Sequence, residues 1–280
     1  MAVKFKSKDF NDSELRGWIN GLERPEEITE VDLSWADVTD ISPLTALTEL
    51  RSLNLLNNLD LTDITPLAKF SKLTELNLSG TLVKNIKPLS ALTELRSLEL
   101  DCEKLRDISP LEGLPIEYLD VSCAYKTLKP LKKLPKLRRL RDIDAGGCLE
   151  DLEIIGSLTQ LEELCLLQLG TKTLSPLAKL VNLRRLDLSS LMFAPIEPLT
   201  VLTKLEELDL SWTNGLELSP LANIPSLKKL SLEYACINRL ETLAELTCLK
   251  ELDLRKLQNT SEEDIAFLRE RLPYCNIIFN

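Results

Sequence analysis

The chain has 280 residues, of which 44% are hydrophobic and 28% are charged. This balance is typical of a folded protein with a substantial core. The formal net charge of −10 argues against nucleic acid as the main partner, because its phosphate groups would be repelled. The sequence contains no histidine, which excludes Ser-His-Asp, Cys-His and histidine-metal chemistry.

Several features of the sequence predict a cytoplasmic location. No run approaches the roughly 18 apolar residues that a membrane helix needs, and residues 1–8 lack the apolar segment of a secretion signal behind their lysines. The seven cysteines are odd in number and form no Cys-x-x-Cys pair. That usage suits free thiols in a reducing compartment.

The first predicted element is a short amphipathic helix near the N-terminus. Residues 11–14 read Asn-Asp-Ser-Glu and offer capping side chains. Leu15, Trp18 and Ile19 follow at helical spacing. We expect residues 1–27 to form a helical cap over the end of the core, a role that suits Trp18 better than the alternative of a binding helix.

One pattern, leucine-x-x-leucine-x-leucine, then recurs along the chain. Its first positions are Ile28, Leu50, Leu73, Leu95, Ile116, Leu137, Leu161, Leu183, Leu205, Leu227 and Leu249. Copies follow one another at intervals of 21 to 24 residues, and eleven copies at so regular a spacing indicate an internally repeated fold. The alternating leucines predict a short strand in each copy.

A second signature follows each strand pattern by about eight residues and reads, for example, Asp-Ile-Ser-Pro-Leu at residues 40–44. Proline fits the first turn of a helix, and the Ser or Thr before it can cap free amides, so a short helix or 3₁₀ turn should begin there. Leu44 and Leu47 then face one side. Each copy is therefore a strand, a turn and a helical return, and stacked copies share a core.

Repeat six departs from this pattern. Residues 141–151 lengthen its turn, and Ile154 occupies the proline position, so we expect a bulge or small loop. Gly146 and Gly147 lack the spacing and the Gly-Lys-Ser/Thr ending of a phosphate loop and are interpreted as turn residues.

Residues 126–141 form a basic segment with no acidic residue between its cations. Its basic residues are Lys126, Lys129, Lys132, Lys133, Lys136, Arg138, Arg139 and Arg141. Contact with an anionic partner or with another copy's acidic face is one interpretation, and a solvated basic patch is the other. The sulfurs of Cys102 and Cys123 would lie near each other in adjacent repeats, but with no further ligands no metal site is expected.

The C-terminal residues predict a second cap. Residues 261–272 begin with a capping Ser and read as a helix, Pro273 ends it, and residues 276–279 have the pattern of an edge strand. We expect residues 257–280 to form a helix-strand cap.

Residues 28–256 resemble the leucine-rich-repeat family, and specifically the internalin-like bacterial class, whose copies are similar to Asp-Ile-Ser-Pro-Leu-x-x-Leu-Thr-x-Leu. The resemblance implies an α/β solenoid: a right-handed horseshoe with a parallel concave sheet and short helical or 3₁₀ convex segments. It also implies a scaffold without catalytic activity that binds proteins on the concave sheet. The absence of a signal peptide and of an anchor indicates that a secreted adhesin role does not carry over.

The sequence departs from the family at the turn after each strand, where members usually carry Asn. The corresponding residues here are Ala36, Asn58, Thr81, Glu103, Ala124, Leu191, Thr213 and Ala235. Only Asn58 matches, so we expect Thr hydroxyls or backbone pairing to satisfy the other turns. Eukaryotic phosphatase-regulating members share the repeat length, but their Asn-rich turns match less well.

The residues between the strand leucines should project from the concave face. Apart from repeat six, these positions hold the acids Glu30, Asp32, Glu75, Glu99, Asp101, Asp120, Glu163, Asp187, Glu207, Asp209, Glu233, Glu251 and Asp253 and the bases Arg185, Lys229, Arg255 and Lys256. Neighbours such as Asp187 and Asp209 would repel by about 1 kcal/mol, which a cationic partner would relieve. A solvated acidic face that only keeps the protein soluble is the alternative.

Aromatic residues at or beside the same strands favour binding over that alternative, because exposed Trp and Tyr are typical anchors of interfaces. The candidate contact residues are Trp35, Glu99, Asp101, Tyr118, Asp120, Asp187, Asp209, Trp212, Glu233 and Tyr234. Trp212 and Tyr234 occupy equivalent places in adjacent repeats.

The sequence thus predicts a protein-protein interaction module that binds a basic protein surface or peptide through an acidic, aromatic-dotted concave face. A regulatory subunit or inhibitor of a cytosolic enzyme such as a phosphatase is one alternative, and a translocated bacterial effector or adhesin-like binder is another. We expect no enzyme activity, because no nucleophile is paired with a base. No cofactor, metal, nucleic acid or membrane partner is expected, and a monomer is expected rather than an oligomer.

Overall fold

The computed structural model describes residues 1–5, 10–121, 127–142, 149–192, 194–237, 239–258 and 260–279. The chain divides into two compact units, Met1–Leu137 and Arg138–Asn280. They are called unit 1 and unit 2 below, and each is described by itself. The division into caps and repeats at residues 27 and 256 stays a prediction.

Unit 1 is a solenoid built on six short parallel strands that pair in chain order. The strands are β1 (Ala2–Lys4), β2 (Glu30–Asp32), β3 (Ser52–Asn54), β4 (Glu75–Asn77), β5 (Ser97–Leu100) and β6 (Tyr118–Val121). Its α-helix is α1 (Asp12–Asn20), and its 3₁₀ helices span Pro25–Glu27, Ser42–Ala46, Thr65–Lys69, Lys87–Ala91, Ser109–Leu111 and Lys129–Lys133.

Unit 2 continues the same plan with nine strands. They are β7 (Arg139–Asp142), β8 (Glu163–Leu166), β9 (Arg185–Asp187), β10 (Glu207–Asp209), β11 (Asn214–Leu216), β12 (Lys229–Ser231), β13 (Cys236–Ile237), β14 (Glu251–Asp253) and β15 (Asn276–Ile278). β11 and β13 pair with each other in parallel, and the other seven form a parallel sheet in chain order. Its α-helices are α2 (Leu149–Gly156) and α3 (Glu262–Arg271), and its 3₁₀ helices span Ser175–Lys179, Glu197–Val201, Ser219–Asn223 and Leu240–Glu245.

The core is made of leucines repeated at equivalent positions. In a strand such as β3 the central Leu53 is buried, as are Leu50 before the strand and Leu55 after it. On the helical side Leu44 and Leu47 are fully buried. The predicted solenoid of strands and 3₁₀ returns is therefore confirmed within each unit, and apolar burial shared between neighbouring repeats holds it together.

Most of the 3₁₀ helices begin one residue before a predicted proline, but their capping differs from the prediction. The amide of Ser42 donates to Oδ1 of Asp40 at 2.9 Å, and the amide of Thr65 donates to Oδ1 of Asp63 at 2.8 Å. The residue two places before the Ser or Thr is therefore the acceptor, since these helices show no side-chain cap from the residue that precedes them. Hydrogen bonds from the Thr65 hydroxyl and amide hold the pKa of Asp63 below its ordinary value.

The turns after the strands satisfy their backbone groups in several ways, as expected. The buried Asn58 side chain donates to the carbonyls of Leu33 and Leu55 at 2.9 Å and accepts from the Val38 amide at 3.0 Å. Hydroxyl groups replace it elsewhere: Thr81 Oγ1 donates to the Leu78 carbonyl at 2.7 Å, and Thr213 makes the equivalent bond. The predicted threonine substitution at these turns is therefore confirmed.

Both ends of the described chain carry helices with capping boxes. Helix α1 begins after Asn11, whose side chain accepts from the Ser13 amide, as the sequence predicts. Strand β1 was not predicted from the sequence, because its three residues carry too short an alternation to indicate a strand. Helix α3 is capped by Ser261, and β15 pairs with β14, as predicted.

Repeat six holds an α-helix, α2, where the other repeats place a 3₁₀ helix, and Ile154 is buried within it. The expected bulge or loop falls partly on residues 143–148, which lie outside the described residues together with Gly146 and Gly147. The helix ends against the next repeat, since a Cβ atom at Gly156 would lie 2.3 Å from the Pro176 carbonyl oxygen.

We predict that Gly156→Ala lowers the free energy of unfolding by about 1–3 kcal/mol, because the added methyl group cannot fit against the backbone of Pro176. The matched control is Gly17→Ala within α1, where an added Cβ has no neighbour within 4 Å. That change should raise stability by about 0.5–1 kcal/mol. Urea unfolding followed by circular dichroism would test both, and equal effects of the two changes would contradict the close approach.

Candidate functional site

The open face of each sheet is the side opposite the leucine core. Its residues flank the central leucine of each strand, so Glu30 and Asp32 belong to the open face around Val31 of β2. Parallel pairing in register places equivalent residues of successive repeats beside each other, at about 4.8 Å. The open face therefore consists of two rows of side chains that run across the strands, continued by the turn residues that follow each strand.

The open face of unit 1 is acidic. Its described acids are Glu30, Asp32, Glu75, Glu99, Asp101 and Asp120, and its base is Lys4, which is in register with Asp32. Partial burial desolvates the Asp101 carboxyl group and raises its pKa. A cationic group at this face would therefore meet several carboxylates and one competing ammonium.

The predicted site residues of unit 1 make polar contacts with their neighbours. Glu99 Oε2 accepts from Asn77 Nδ2 at 2.6 Å, and the Tyr118 hydroxyl lies 3.5 Å from Asp120 Oδ2. Trp35 lies in the turn after β2 and is 52% exposed. The structure brings Glu99, Tyr118 and Asp120 onto adjacent strands, whereas Trp35 lies in the turn of a more distant repeat.

The open face of unit 2 is not uniformly acidic, which corrects the expectation drawn from sequence. Its first row alternates in sign from strand to strand through Arg139, Glu163, Arg185, Glu207, Lys229 and Glu251. Arg185 contacts Glu163 at 2.7 Å and Glu207 at 3.1 Å. The acids counted from sequence are thus balanced by bases in this row, and Arg139 belongs to the repeat that the count left out.

A parallel row at the start of the same strands also alternates in sign. Glu206 accepts from Arg184 at 2.9 Å and from Lys228 at 2.5 Å, and Arg138 pairs with Glu162. The hydrogen bond from Lys228 lowers the pKa of Glu206, although burial opposes it. Cross-strand charge pairs of this kind are weak individually, but together they bring the surface close to neutrality.

The side chains of the second row of the open face accept hydrogen bonds from backbone amides in the turns. Oδ1 of Asp187 accepts from the Ser189 amide at 2.9 Å, and Oδ1 of Asp209 accepts from the Ser211 amide at 2.8 Å. Asn54 and Asn77 make the same bond in unit 1. An acceptor oxygen, and not a negative charge, is therefore what this turn position requires.

Asp187 and Asp209 nevertheless differ from the other acids on the open face of unit 2. Neither forms a salt bridge within the part of the chain that the structure describes, whereas Asp253 and Glu233 both pair with Arg255, at 2.7 and 3.1 Å. Burial raises the pKa of Asp253, but hydrogen bonds from the Arg255 side chain and amide outweigh it and lower that pKa overall. The two uncompensated carboxylates lie in register on β9 and β10.

One residue in most repeats adopts the left-handed backbone conformation, two places after the last strand leucine. These residues are Trp35, Asn57, Gly80, Gln168, Ser190, Trp212, Tyr234 and Lys256, with φ between 55° and 70°. The amides of the first seven of these residues donate to a carbonyl of the next repeat, as Trp212 does to Glu233 at 2.9 Å. Asn and Gly tolerate this conformation, whereas a bulky side chain is strained there.

The aromatic edge of unit 2 is the part of this left-handed row that carries Trp212 and Tyr234. Their rings stack with centroids 4.1 Å apart and planes 11° from parallel, and the side chains remain 56% and 37% exposed. Beside them lies a depression of about 470 Å³ lined by Gln168, Ser190, Leu191, Met192, Trp212 and Asn214. The two rings were predicted from their equivalent positions in the sequence, whereas Met192 and Gln168 were not, since their place beside the rings depends on the turn geometry.

Comparison with known proteins supports the family resemblance. A family model described as leucine-rich repeats, in two copies, matches residues 71–113. A solved internalin (inlF) from Listeria monocytogenes superimposes with a TM-score of 0.70 at 26% sequence identity, covering 90% of this chain and 76% of that one. The chain has a leucine-rich-repeat solenoid fold similar to that of internalins. The internalin-like character expected from its repeats is confirmed.

Two further solved structures are similar to the chain with lower TM-scores. One is a leucine-rich-repeat protein of Leptospira interrogans, with a TM-score of 0.45, 18% identity and coverage of 99% and 89% of the two chains. The other is internalin C2 (inlC2) of Listeria monocytogenes, with a TM-score of 0.32, 27% identity and coverage of 73% and 71%. No curated protein sequence matches the chain.

Other predicted features have mixed outcomes. Cys123 and Lys126 lie outside the described residues. Within the basic segment, Lys133 pairs with Glu112 at 2.6 Å, and Arg139 and Arg141 lie on β7. In the described ranges, no helix is long and apolar enough to cross a membrane, and no three Asp, Glu or Cys residues are grouped as metal ligands would be.

We predict that Arg185→Glu lowers the free energy of unfolding by about 1 kcal/mol at low salt, because three carboxylates would then lie on adjacent strands. The control is Arg185→Gln, which removes the two salt bridges without adding a third carboxylate and should therefore cost less stability. Thermal unfolding at two salt concentrations would measure both. If Arg185→Glu were as stable as Arg185→Gln at low salt, like charges on adjacent strands of this row would have no energetic effect.

Proposed function

We propose that this protein is a protein-protein interaction module whose contact surface includes the aromatic edge of unit 2. The coarse role is supported by the family match and the internalin neighbour, since leucine-rich-repeat proteins of this type are generally binding modules without enzymatic activity. The aromatic edge, the character of the partner and the cytoplasmic location are the finer parts of the proposal. We also propose that the chain acts as a monomer without catalytic activity.

The exposed Trp212-Tyr234 stack is the observation that carries the proposal. Trp212 and Tyr234 both have a left-handed backbone conformation, which costs a residue with a bulky side chain roughly 1–2 kcal/mol. Equivalent turns elsewhere use Asn57 and Gly80, so the fold does not require rings there. Backbone strain without a folding benefit is a sign of function, and large aromatic side chains are frequent binding hot spots.

The charge pattern bears on the partner's chemistry. The carboxylates of Asp187 and Asp209 precede the left-handed residues Ser190 and Trp212 by three positions in the same repeats. A partner with a basic segment would compensate them, in keeping with the sequence-based prediction of a basic surface or peptide. The remainder of the open face of unit 2 is near neutral, so we propose a local cationic contact there and not adhesion to a broadly acidic surface.

The test is a paired substitution at the aromatic edge. Trp212→Asn with Tyr234→Asn should weaken partner binding at least roughly thirtyfold, as expected for two hot-spot side chains. The free energy of unfolding should stay within about 1 kcal/mol of the original, because relief of left-handed strain offsets the lost ring stack. The partner would first be identified by crosslinking and mass spectrometry in the cells that make the protein, and its affinity then measured by calorimetry.

A matched control is Tyr274→Asn, which removes a ring that is 95% exposed and not on a left-handed residue. It should leave binding unchanged. Trp35→Asn reports separately on unit 1. Full affinity in the Trp212/Tyr234 double variant would exclude the aromatic edge as the contact surface.

A further inference from the structure

The left-handed row of unit 2 places one side chain from each repeat beside the equivalent side chain of the next repeat. Strand spacing sets successive places about 4.8 Å apart, which is within the usual range of centroid separations for aromatic pairs. Trp212 and Tyr234 fill two adjacent places with centroids 4.1 Å apart. The place before Trp212 holds Ser190, and the one before that holds Gln168. A small side chain thus stands where one more planar group would extend the stack.

The depression of about 470 Å³ lies at this place. Ser190, Met192 and Trp212 line it and Tyr234 does not, so it adjoins the face of the indole that points away from Tyr234. Met192 is 47% exposed beside it. We propose that this depression is a slot for the side chain of an arginine in the protein partner, with the planar guanidinium group stacked on Trp212 above Ser190. The inference rests on the proposed function and names the partner's anchoring residue.

The chemistry of the lining favours a guanidinium group over a simple ring. Gln168, Ser190 and Asn214 offer side-chain oxygens that can accept its N–H groups, while Trp212 and Met192 cover its flat faces. None of the six lining residues is charged, so the slot itself does not repel a cation. An ammonium group would lack the plane that stacking uses.

The nearby acids supply charge complementarity. Asp187 and Asp209 end their strands three residues before Ser190 and Trp212, and each accepts from the amide of the residue just before them, at 2.9 and 2.8 Å. Both carboxylates therefore lie well within a Debye length of the slot. Neither has a cationic partner among the described residues. They would attract the guanidinium group at a distance without needing to contact it.

The probe is the capped tripeptide acetyl-Gly-Arg-Gly-amide, compared with otherwise identical peptides that carry Lys, Gln or Phe in the centre. Binding would be followed by the NMR signal of the Trp212 indole N–H, assigned by its loss in Trp212→Phe. We expect saturable binding of the Arg peptide in the millimolar range, as suits a ligand with one anchoring side chain. The other peptides should bind more weakly than the Arg peptide.

Further variants test whether the peptide binds in the slot beside Ser190 and whether the two aspartates contribute to its binding. Ser190→Trp fills the slot with a ring and should abolish the response, whereas Val201→Trp adds an indole at an exposed 3₁₀-helix position and should not. The pair Asp187→Asn and Asp209→Asn keeps the turn, because Asn54 and Asn77 make that hydrogen bond elsewhere. It should weaken Arg binding roughly two- to threefold at low salt and remove most of the salt dependence.

Each outcome decides between the alternatives. Three results would overturn the arginine slot: equal responses to the Arg, Lys and Gln peptides, no response to any peptide, or binding retained in Ser190→Trp. Stronger binding of the Phe peptide would assign the slot to an aromatic anchor instead. Loss of partner binding in the Trp212/Tyr234 double variant without a peptide response would leave the proposed function intact while removing the slot. A specific response to the Arg peptide, with undiminished partner binding in that variant, would keep the slot and exclude the aromatic edge as the contact surface.

Discussion

The constraint on which each unit depends is the in-register pairing of short parallel strands, fixed by leucines that must all face one core. A slip of one residue would turn every leucine of a strand outward, so register is held by the burial of residues such as Leu53, Leu76 and Leu98. Once register is fixed, any residue type that recurs at one place in the repeat forms a row. The charge rows, the turn acceptors and the left-handed row all follow from this constraint.

The rows differ in what they contribute to folding. The turn acceptors, Asp or Asn, satisfy backbone amides that would otherwise lack a partner. The alternating charges of unit 2 pair on a half-exposed surface, where each contact contributes little to stability. A face with both signs in fixed order would instead disfavour partners that present one sign throughout.

Much of the fold could be predicted from the sequence, because the spacing of leucine and proline reports the period, the strands and the 3₁₀ helices directly. The charge pattern was harder to predict. Counting acids over the whole face hid their alternation with Arg139, Arg185 and Lys229, which appears only when each strand is set beside its neighbours and repeat six is included. The α-helix of repeat six was also missed, since its lengthened turn was read as a loop and Ile154 as a lost proline.

The candidate site was predicted in part, for a physical reason. Trp212 and Tyr234 stood out as rings at equivalent places, and strand spacing was enough to bring them together. Their backbone conformation could not be read from the sequence, because it is imposed by the turn and a ring is an unfavourable residue for it. Gln168 and Ser190 share that conformation and drew no notice, since a polar residue after a strand is unremarkable until the row is known.

The left-handed row also separates folding from recognition within a single repeat. Its backbone amide links one repeat to the next whatever side chain it carries, as Gly80 and Trp212 show by making the equivalent bond. The side chain can therefore change without loss of the repeat-to-repeat bond, and its cost is confined to the local conformation. Such positions can carry large aromatic, small or amide side chains in any order, at intervals of about 4.8 Å. The order Gln168, Ser190, Trp212, Tyr234 places the small side chain of Ser190 next to the Trp212 ring and so leaves open space beside that ring.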